Sequence, residues 1–398
     1  MTVLNNAWSQ VLAKAEKLSN LDAFPLWTAG DEWVSMSVNE SERGVLPHNG
    51  SWMVGDLPSI LWFVASQESK SADSSELRAR ALQWSKRLEN RTRIKSFASV
   101  SVMFLRGALI PLETHGVEEL RPMLLQTGKT VSARFRQIGY MKSFGTADDD
   151  TYPFTTIDDV INLCVPLWYA QQVNDEQLAA EANRAADLIG EHLVRPDGST
   201  IQSLLFDPKG NPSGVDTYQG YSVEGSWSRG LAWGIYGYAF LYGLTHDPHH
   251  LELAQLMADF WMDKVQDDAS PLWDFAIPAS APRIRDSFAG SLAYAGLLEL
   301  ASASETTRAN KLRDYTRAMM AKLSEKYVVN HPGLGILRGA ALDVPHEHGV
   351  GENAAVIVGD SYYTEALWRL LDDSRDAPLL SLHDETSSAE TTLAWEAK

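Results

Sequence analysis

The chain has 398 residues, 44% hydrophobic and 22% charged, so it can bury a large core and is neither disordered nor membrane-like in composition. Its 34 Lys and Arg against 52 Asp and Glu give a formal net charge of -18, which disfavours nucleic acid and anionic membranes as partners. Residues 1–6 lack the basic and apolar regions of a signal peptide, and the single cysteine, Cys164, cannot form an internal disulfide. The expected location is the cytoplasm.

Apolar residues recur at helical spacing almost throughout the chain, while strand signals are scarce. The pattern predicts twelve helices, at 2–20, 57–67, 75–92, 98–114, 117–137, 156–172, 174–194, 228–243, 249–265, 287–302, 305–327 and 360–371. Every second helix is apolar nearly all round, and the others have one charged face, which is the difference between buried and covering helices. The sequence therefore predicts an all-α fold, an (α/α)6 barrel of six inner and six outer helices. We expect one catalytic domain over residues 1–372 and a flexible acidic tail over 373–398.

The loops that lead into the inner helices share one end of such a barrel, so we expect a site there. These junctions contain Ser, Thr and Asp, which ordinary N-capping explains. Capping does not explain the other side chains that gather at the same end, which are Trp52, Trp227, Arg229, Trp233 and Tyr362.

Asp158 is the candidate acid. It lies at the entrance of an otherwise apolar helix and shares a face with Asn162, four residues on. A partly desolvated carboxyl there would have a raised pKa and hold a proton near neutral pH, whereas an N-cap Asp would have ordinary acidity. The sequence leaves these two alternatives even.

Other motifs in the sequence give less evidence for a function. The chain has no phosphate-binding loop and no nucleophile elbow, and we interpret His346-Glu347-His348 as a surface loop without a third ligand. We therefore expect no metal and no cofactor.

The chain resembles the unsaturated glucuronyl hydrolases, glycoside hydrolase family 88, and more distantly the unsaturated rhamnogalacturonyl hydrolases. The most specific matching blocks are Gln219-Gly220-Tyr221-Ser222 and Trp227-Ser228-Arg229-Gly230-Leu231-Ala232-Trp233-Gly234. Others are Asn49-Gly50-Ser51-Trp52, Ile157-Asp158 with Asn162-Leu163, Arg285-Asp286-Ser287 and Gly359-Asp360-Ser361-Tyr362-Tyr363.

The resemblance implies an (α/α)6 barrel and a hydrolase of lyase-made oligosaccharides with a 4,5-unsaturated uronic acid at the non-reducing end. It also implies Asp158 as the acid/base that starts hydration of the enol ether. Arg229 would pair with the uronate carboxylate, and a monomer or homodimer is expected. By the same resemblance, the substrate-binding residues are Trp52, Ser99, Phe144, Asn162, Gln202, Gln219, Trp227, Arg229, Trp233 and Tyr362.

Two departures from the family pattern stand near the predicted acid. Ser99 replaces an Asp that contacts the sugar, and Gln202 replaces a His. We expect Asp158 to depend on desolvation alone for its raised pKa, with an acidic pH optimum. Two alternatives stay open: a sugar-binding homologue with altered or lost catalysis, and a barrel isomerase or epimerase, which generally uses histidine pairs as bases.

Overall fold

The computed structural model describes residues 2–41, 51–67, 72–266, 268–328 and 330–380. Its twelve helical units are numbered here in chain order: α1 (Val3–Ser19), α2 (Asp56–Gln67), α3 (Ala72–Lys86), α4 (Val100–Phe104, Leu105–Leu109 and Ile110–His115), α5 (Arg121–Ile138), α6 (Asp159–Asn162 and Cys164–Gln172), α7 (Glu176–Leu193), α8 (Ser228–Thr245), α9 (Pro248–Lys264), α10 (Ser287–Ser302), α11 (Thr306–Tyr327) and α12 (Ile357–Leu370).

The even-numbered helices form a closed inner ring. Helices α2, α4, α6, α8, α10 and α12 each contact the next, and α12 returns to contact α2. Nearly all residues of α8, α10 and α12 are buried, whereas α7 and α11 bury one face only. The predicted (α/α)6 barrel is confirmed. None of the helices in the described ranges is long and apolar enough to cross a membrane.

Two inner helices are interrupted one turn before a proline. Pro111 has no N–H to donate to the carbonyl of Gly107, four residues earlier, and α4 passes through a π-helical turn over Leu105–Leu109. The hydroxyl of Ser85 donates to the Gly107 carbonyl instead, at 2.6 Å. In the same way Pro166 cannot bond the carbonyl of Asn162, where the first segment of α6 ends. Each interruption therefore has a local cause in the sequence.

Three small antiparallel sheets lie in the loops, and the sequence analysis did not predict them. In the first sheet β1 (Ala23–Ala29) pairs with β2 (Glu32–Ser37). In the second, β4 (Ser203–Phe206) lies between β3 (Phe154–Thr156) and β5 (Pro212–Asp216), and in the third β6 (Ala341–Asp343) pairs with β7 (His348–Val350). The β1–β2 turn is Gly30-Asp31 with Gly30 at φ +62°. Its glycine comes first rather than second, so a search for Asn-Gly and Asp-Gly turns misses it.

The predicted flexible tail begins too early. Residues 373–380 continue along the barrel, and Leu379 and Leu380 are buried. The backbone N–H of Leu379 donates to Glu299 of α10, and Arg369 of α12 donates to the carbonyl of Ala377. Residues 373–380 therefore pack with the barrel, and residues 381–398 of the predicted tail lie outside the described part of the chain.

Candidate active site

A cavity lies at the end of the barrel where α2, α4, α6 and α8 begin. Helix N-termini carry partial positive charge, so this end favours an anionic group. Nine of the eleven predicted site residues line the cavity: Trp52, Ser99, Phe144, Asp158, Asn162, Gln219, Trp227, Arg229 and Trp233. The remaining lining residues are Val102, Ile161, Tyr218, Leu342 and Asp343.

Asp158 is held in an unusual state by its surroundings. It directly precedes α6, and its side chain makes no capping hydrogen bond. Its Oδ1 atom is buried and has no hydrogen-bond partner among the described residues. Burial, and then the negative charge of Asp159, raise the pKa of Asp158 to about 7, against the opposing charge of Arg229. The structure therefore favours a proton-holding carboxyl over an ordinary N-cap.

Asp159 has a different role from its neighbour. Its Oδ2 accepts hydrogen bonds from the hydroxyl of Ser143 and from the backbone N–H of Thr156 at 2.9 Å. Its Oδ1 accepts from Nδ2 of Asn162, also at 2.9 Å. Burial raises the pKa of Asp159 as well. Because protein donors hold both oxygens and the residue does not line the cavity, Asp159 acts on Asp158 by its charge.

Ser99 and Asn162 connect the start of α4 with α6. The Ser99 side chain makes no capping hydrogen bond, and its Oγ lies 3.5 Å from Nδ2 of Asn162. The Oδ1 of Asn162 accepts from the backbone N–H of Val102 at 3.1 Å. The Asn162 amide thus bonds to both helices and orients Asp159, so its part in the site is positional.

Gln219 reaches the cavity because Gln202 holds the loop behind it. The Oε1 of Gln202 accepts from the backbone N–H groups of Tyr218 and Gln219, both at 2.9 Å. Its Nε2 donates to Gln219 Oε1 at 3.2 Å. Gln202 does not line the cavity, so its predicted contact with substrate is replaced by support of this loop. A Cβ at Gly220 would lie 2.6 Å from Oγ1 of Thr217, which explains the glycine after Gln219.

Arg229 joins the cavity to the β6–β7 hairpin. Its guanidinium donates to Asp286 at 3.0 Å, to the carbonyl of Ala341 at 2.9 Å and to the carbonyl of Leu342. Gln219 Nε2 donates to the same Leu342 carbonyl at 3.1 Å. Three of the five guanidinium N–H groups thereby donate to acceptors within the described residues.

Aromatic rings form much of the cavity wall. The rings of Trp52 and Trp233 meet edge to face, with centroids 6.4 Å apart. Trp227 and Phe144 line other parts of the wall. Tyr362 is fully buried behind Trp233, with ring centroids 5.5 Å apart, and it does not line the cavity. α12 directs this side chain into the barrel core, so the structure places Tyr362 behind the cavity wall and not on it.

Two polar residues of the cavity were not predicted. The pKa of Tyr218 is raised well above its usual value by burial and then by the charges of Asp158, Asp159 and Asp343, so its hydroxyl keeps its proton. Asp343 lies 2.8 Å from Nδ1 of His346. Tyr218 adjoins the Gln219 block, which is a usable signal. No sequence signal indicated Asp343, because its partner His346 belongs to the segment 346–348, which was interpreted as a surface loop.

Comparisons with known proteins agree on one family. No family model matches the chain. The unsaturated glucuronyl hydrolase of Bacillus sp. (strain GL1) is 27% identical over 372 residues, covering 91% of this chain and 96% of the relative. The crystal structure of the unsaturated glucuronyl hydrolase from Bacillus sp. GL1 matches with a TM-score of 0.80 and 26% identity, over 94% of this chain and 99% of that one. The chain is similar to the unsaturated glucuronyl hydrolases over nearly its whole length.

The chain is also similar to the unsaturated chondroitin disaccharide hydrolase of Streptococcus pneumoniae, at 23% identity over 82% of this chain and 83% of the relative. The predicted family and the predicted enzyme class are confirmed by these relatives. The roles of the individual cavity residues stay predictions, which the next subsection develops.

Proposed function

We propose that this protein removes a 4,5-unsaturated uronic acid from the non-reducing end of lyase-generated oligosaccharides by hydrating its double bond. The observation that carries the proposal is the carboxyl of Asp158, which has a pKa of about 7 and an unpartnered buried oxygen in an aromatic-walled cavity. Such a group holds a transferable proton at neutral pH, which is what an acid catalyst needs.

A single carboxyl is sufficient for this chemistry. The unsaturated ring contains an enol ether between C4 and C5, and Asp158 donates its proton to C4. The positive charge that develops at C5 and the ring oxygen is then met by water, which adds to C5 and returns a proton to the Asp158 carboxylate. The resulting hemiketal opens and releases the rest of the oligosaccharide. The usual pair of catalytic carboxyls of glycoside hydrolases is not required.

The cavity suits a flat, negatively charged sugar. Arg229 is its one cation among the described residues, and the positive end of α8 begins beside it. The Arg229 guanidinium is the predicted partner of the ring carboxylate. The rings of Trp52 and Trp233 offer apolar surface for the sugar faces. Gln219 contributes an amide that Gln202 and Leu342 hold in place.

The alternatives are less well supported. No histidine lines the cavity within the described residues, which disfavours an isomerase or epimerase that uses histidine bases. A binding protein without catalysis is favoured by Ser99 and Gln202, the positions where the resemblance implies an Asp and a His. The cytoplasmic location and the monomeric or homodimeric state stay predictions from the sequence.

A substrate panel tests the proposal. Unsaturated disaccharides from chondroitin, hyaluronan, gellan, xanthan, ulvan and pectin would be incubated with the protein. We expect at least one to lose the ultraviolet absorbance of its conjugated double bond and to release its second sugar, detected by mass. The matched control is the same disaccharide with the double bond reduced, which should stay intact. No loss of absorbance with any of them, together with tight calorimetric binding, would leave a binding protein instead.

A further inference from the structure

A second cavity with a basic lining lies behind the β6–β7 hairpin. It measures about 510 Å³, and its walls are Arg283, Ile284, Arg285, Lys326, Tyr327, Arg338, Gly339, Val350, Gly351 and Glu352. We call it the basic groove. Four of these residues are cationic and one is acidic, in a chain whose net charge is -18. Such a local reversal of charge attracts anions to one face of an otherwise acidic molecule.

The cations of the basic groove are only partly engaged within the protein. Arg285 and Lys326 share the carboxylate of Asp268, at 3.0 and 3.6 Å. Arg338 donates to the carbonyl of Lys326 at 3.0 Å and has no carboxylate partner among the described residues. Arg283 is exposed and forms no ion pair within the described ranges. More positive charge is therefore present than these carboxylates neutralise.

The basic groove and the catalytic cavity are lined in part by different residues of the same chain segment. Leu342 and Asp343 of the hairpin line the catalytic cavity, while Val350 and Gly351 of the same hairpin line the groove. Arg285 lines the groove, and the next residue, Asp286, forms the ion pair with Arg229. Both cavities therefore adjoin the β6–β7 hairpin.

We propose that the basic groove binds the sulfate or carboxylate group of an anionic oligosaccharide, as a second carbohydrate site beside the catalytic cavity. The class of ligand rests on the proposed function, but the existence of an anion site does not. The catalytic cavity has one cation, and that cation is bonded to Asp286 and two carbonyls. Among the described residues the groove thus has four cations where the catalytic cavity has one.

Calorimetry with a ligand that cannot react tests the proposal. The probe is a chondroitin sulfate tetrasaccharide whose non-reducing uronate is saturated, titrated into the full chain at low salt. The test variant is Arg283→Gln/Lys326→Gln, which removes two exposed cations whose side chains donate no hydrogen bond in the described structure. The control, Arg184→Gln/Lys311→Gln, makes the same charge change on exposed positions of α7 and α11.

We expect the test variant to raise the Kd of the probe about fivefold or more, the control to change it less than about twofold, and added salt to reduce the difference. An unchanged Kd in the test variant, or an equal change in the control, overturns the proposal.

Competition with inorganic sulfate shows whether the groove binds an oligosaccharide or only a free anion. If sulfate competes only at far higher concentration than the tetrasaccharide, the oligosaccharide is supported as the ligand. If both bind equally tightly, the groove is a free-anion site and the oligosaccharide assignment is wrong. Failure of the substrate panel with an intact groove effect would refute the proposed activity and leave the groove in place.

Discussion

The raised pKa of Asp158 has a consequence for stability. Its carboxyl titrates near pH 7 in the folded state and near its ordinary value of 3.8 when unfolded. Between these values the folded carboxyl is protonated and the unfolded one is ionised, so folding takes up a proton and stability falls as the pH rises. Above about pH 7 the carboxyl is ionised in both states, so the free energy of unfolding is lowered by an amount that no longer changes with pH.

Asp158→Asn should therefore stabilise the protein in a pH-dependent way. The Asn cannot titrate, so we expect its gain over the parent to be near zero at about pH 4 and to reach about 1–3 kcal/mol at pH 8. Thermal melts across this range measure it. The control is Asp314→Asn on an exposed position of α11, which should show no such trend. A gain that does not vary with pH would contradict the raised pKa.

Ser99 permits a test of the charges around the acid. The sequence argument that Asp158 depends on desolvation alone is wrong, because the negative charge of Asp159 adds to the effect of burial. The expected alkaline limb of the pH–rate profile accordingly lies near pH 7 rather than at a markedly acidic pH. A further carboxylate at position 99 should move this alkaline limb to still higher pH.

We expect Ser99→Asp to shift this limb upward by roughly 0.5–1.5 pH units if the two carboxyls lie within about 6 Å. The measurement is kcat/KM against pH on the best unsaturated disaccharide. Ser99→Asn is the matched control, since it has the same size without the charge and should leave the limb in place. An active Ser99→Asp enzyme with an unmoved limb would show that charge at this position does not reach Asp158.

At the residue level, the sequence predicted the cavity well where side chains follow directly from the starts of inner helices. Trp52, Ser99, Asp158, Trp227 and Arg229 all belong to this group. Gln202 and Tyr362 do not line the cavity, because the pattern identifies the end of the barrel but not the direction of each side chain. Asp343 was missed because a hairpin between distant helices brings it to the cavity, and local spacing carries no record of that contact.

At the level of elements, the β6–β7 hairpin depends on one guanidinium from α8. Arg229 satisfies the carbonyls of Ala341 and Leu342 and the carboxylate of Asp286, all of them buried. A buried carbonyl or carboxylate that loses its donor destabilises the folded state by much more than an exposed one.

Arg229→Lys should therefore loosen the hairpin as well as weaken catalysis. We expect a loss of about 2–4 kcal/mol in the free energy of unfolding and faster amide exchange across residues 341–350. Hydrogen exchange followed by mass spectrometry measures the amide exchange rates across residues 341–350. The control is Arg308→Lys, whose ion pair with Asp259 is on the surface, and it should cost less than about 1 kcal/mol. Equal exchange in the two variants would show that Arg229 does not anchor the hairpin.

The helices themselves were largely predictable, and their interruptions have identifiable causes. The helical spacing of apolar residues predicted all twelve helices, because each inner helix is apolar all round and each outer helix has one apolar face. The turns before Pro111 and Pro166 follow from the missing N–H of proline, although the sequence analysis did not use that signal. The small sheets were missed because strands of three to seven residues carry too short a pattern.

At the scale of the whole molecule, residues beyond the last helix pack against the ends of α8, α10 and α12. Leu379 and Leu380 are 6% and 3% exposed, and a Cβ at Gly243 of α8 would lie 2.7 Å from the Leu380 carbonyl. Glu299 of α10 and Arg369 of α12 form a buried ion pair beside them. Composition predicted a flexible segment here, because residues 373–398 are mostly acidic and polar and contain few apolar residues.

Leu380→Ala should therefore destabilise the protein by about 2–4 kcal/mol, as expected for a buried leucine. Chemical denaturation with urea measures the change. Leu334→Ala is the control, because Leu334 is 40% exposed, and it should change stability by less than about 0.5 kcal/mol. Equal, small changes in both variants would return residues 373–380 to the loose tail that composition predicted.

The measurement that tests the central claim most directly is kcat/KM of the parent and of Asp158→Asn on the best unsaturated disaccharide. The amide keeps the size of the carboxyl but cannot deliver a proton, and removal of a general acid costs about 10²- to 10⁴-fold in rate. The account predicts a fall in that range with an intact fold. Retention of more than about a tenth of the parent kcat/KM would contradict it and assign the proton transfer to another group.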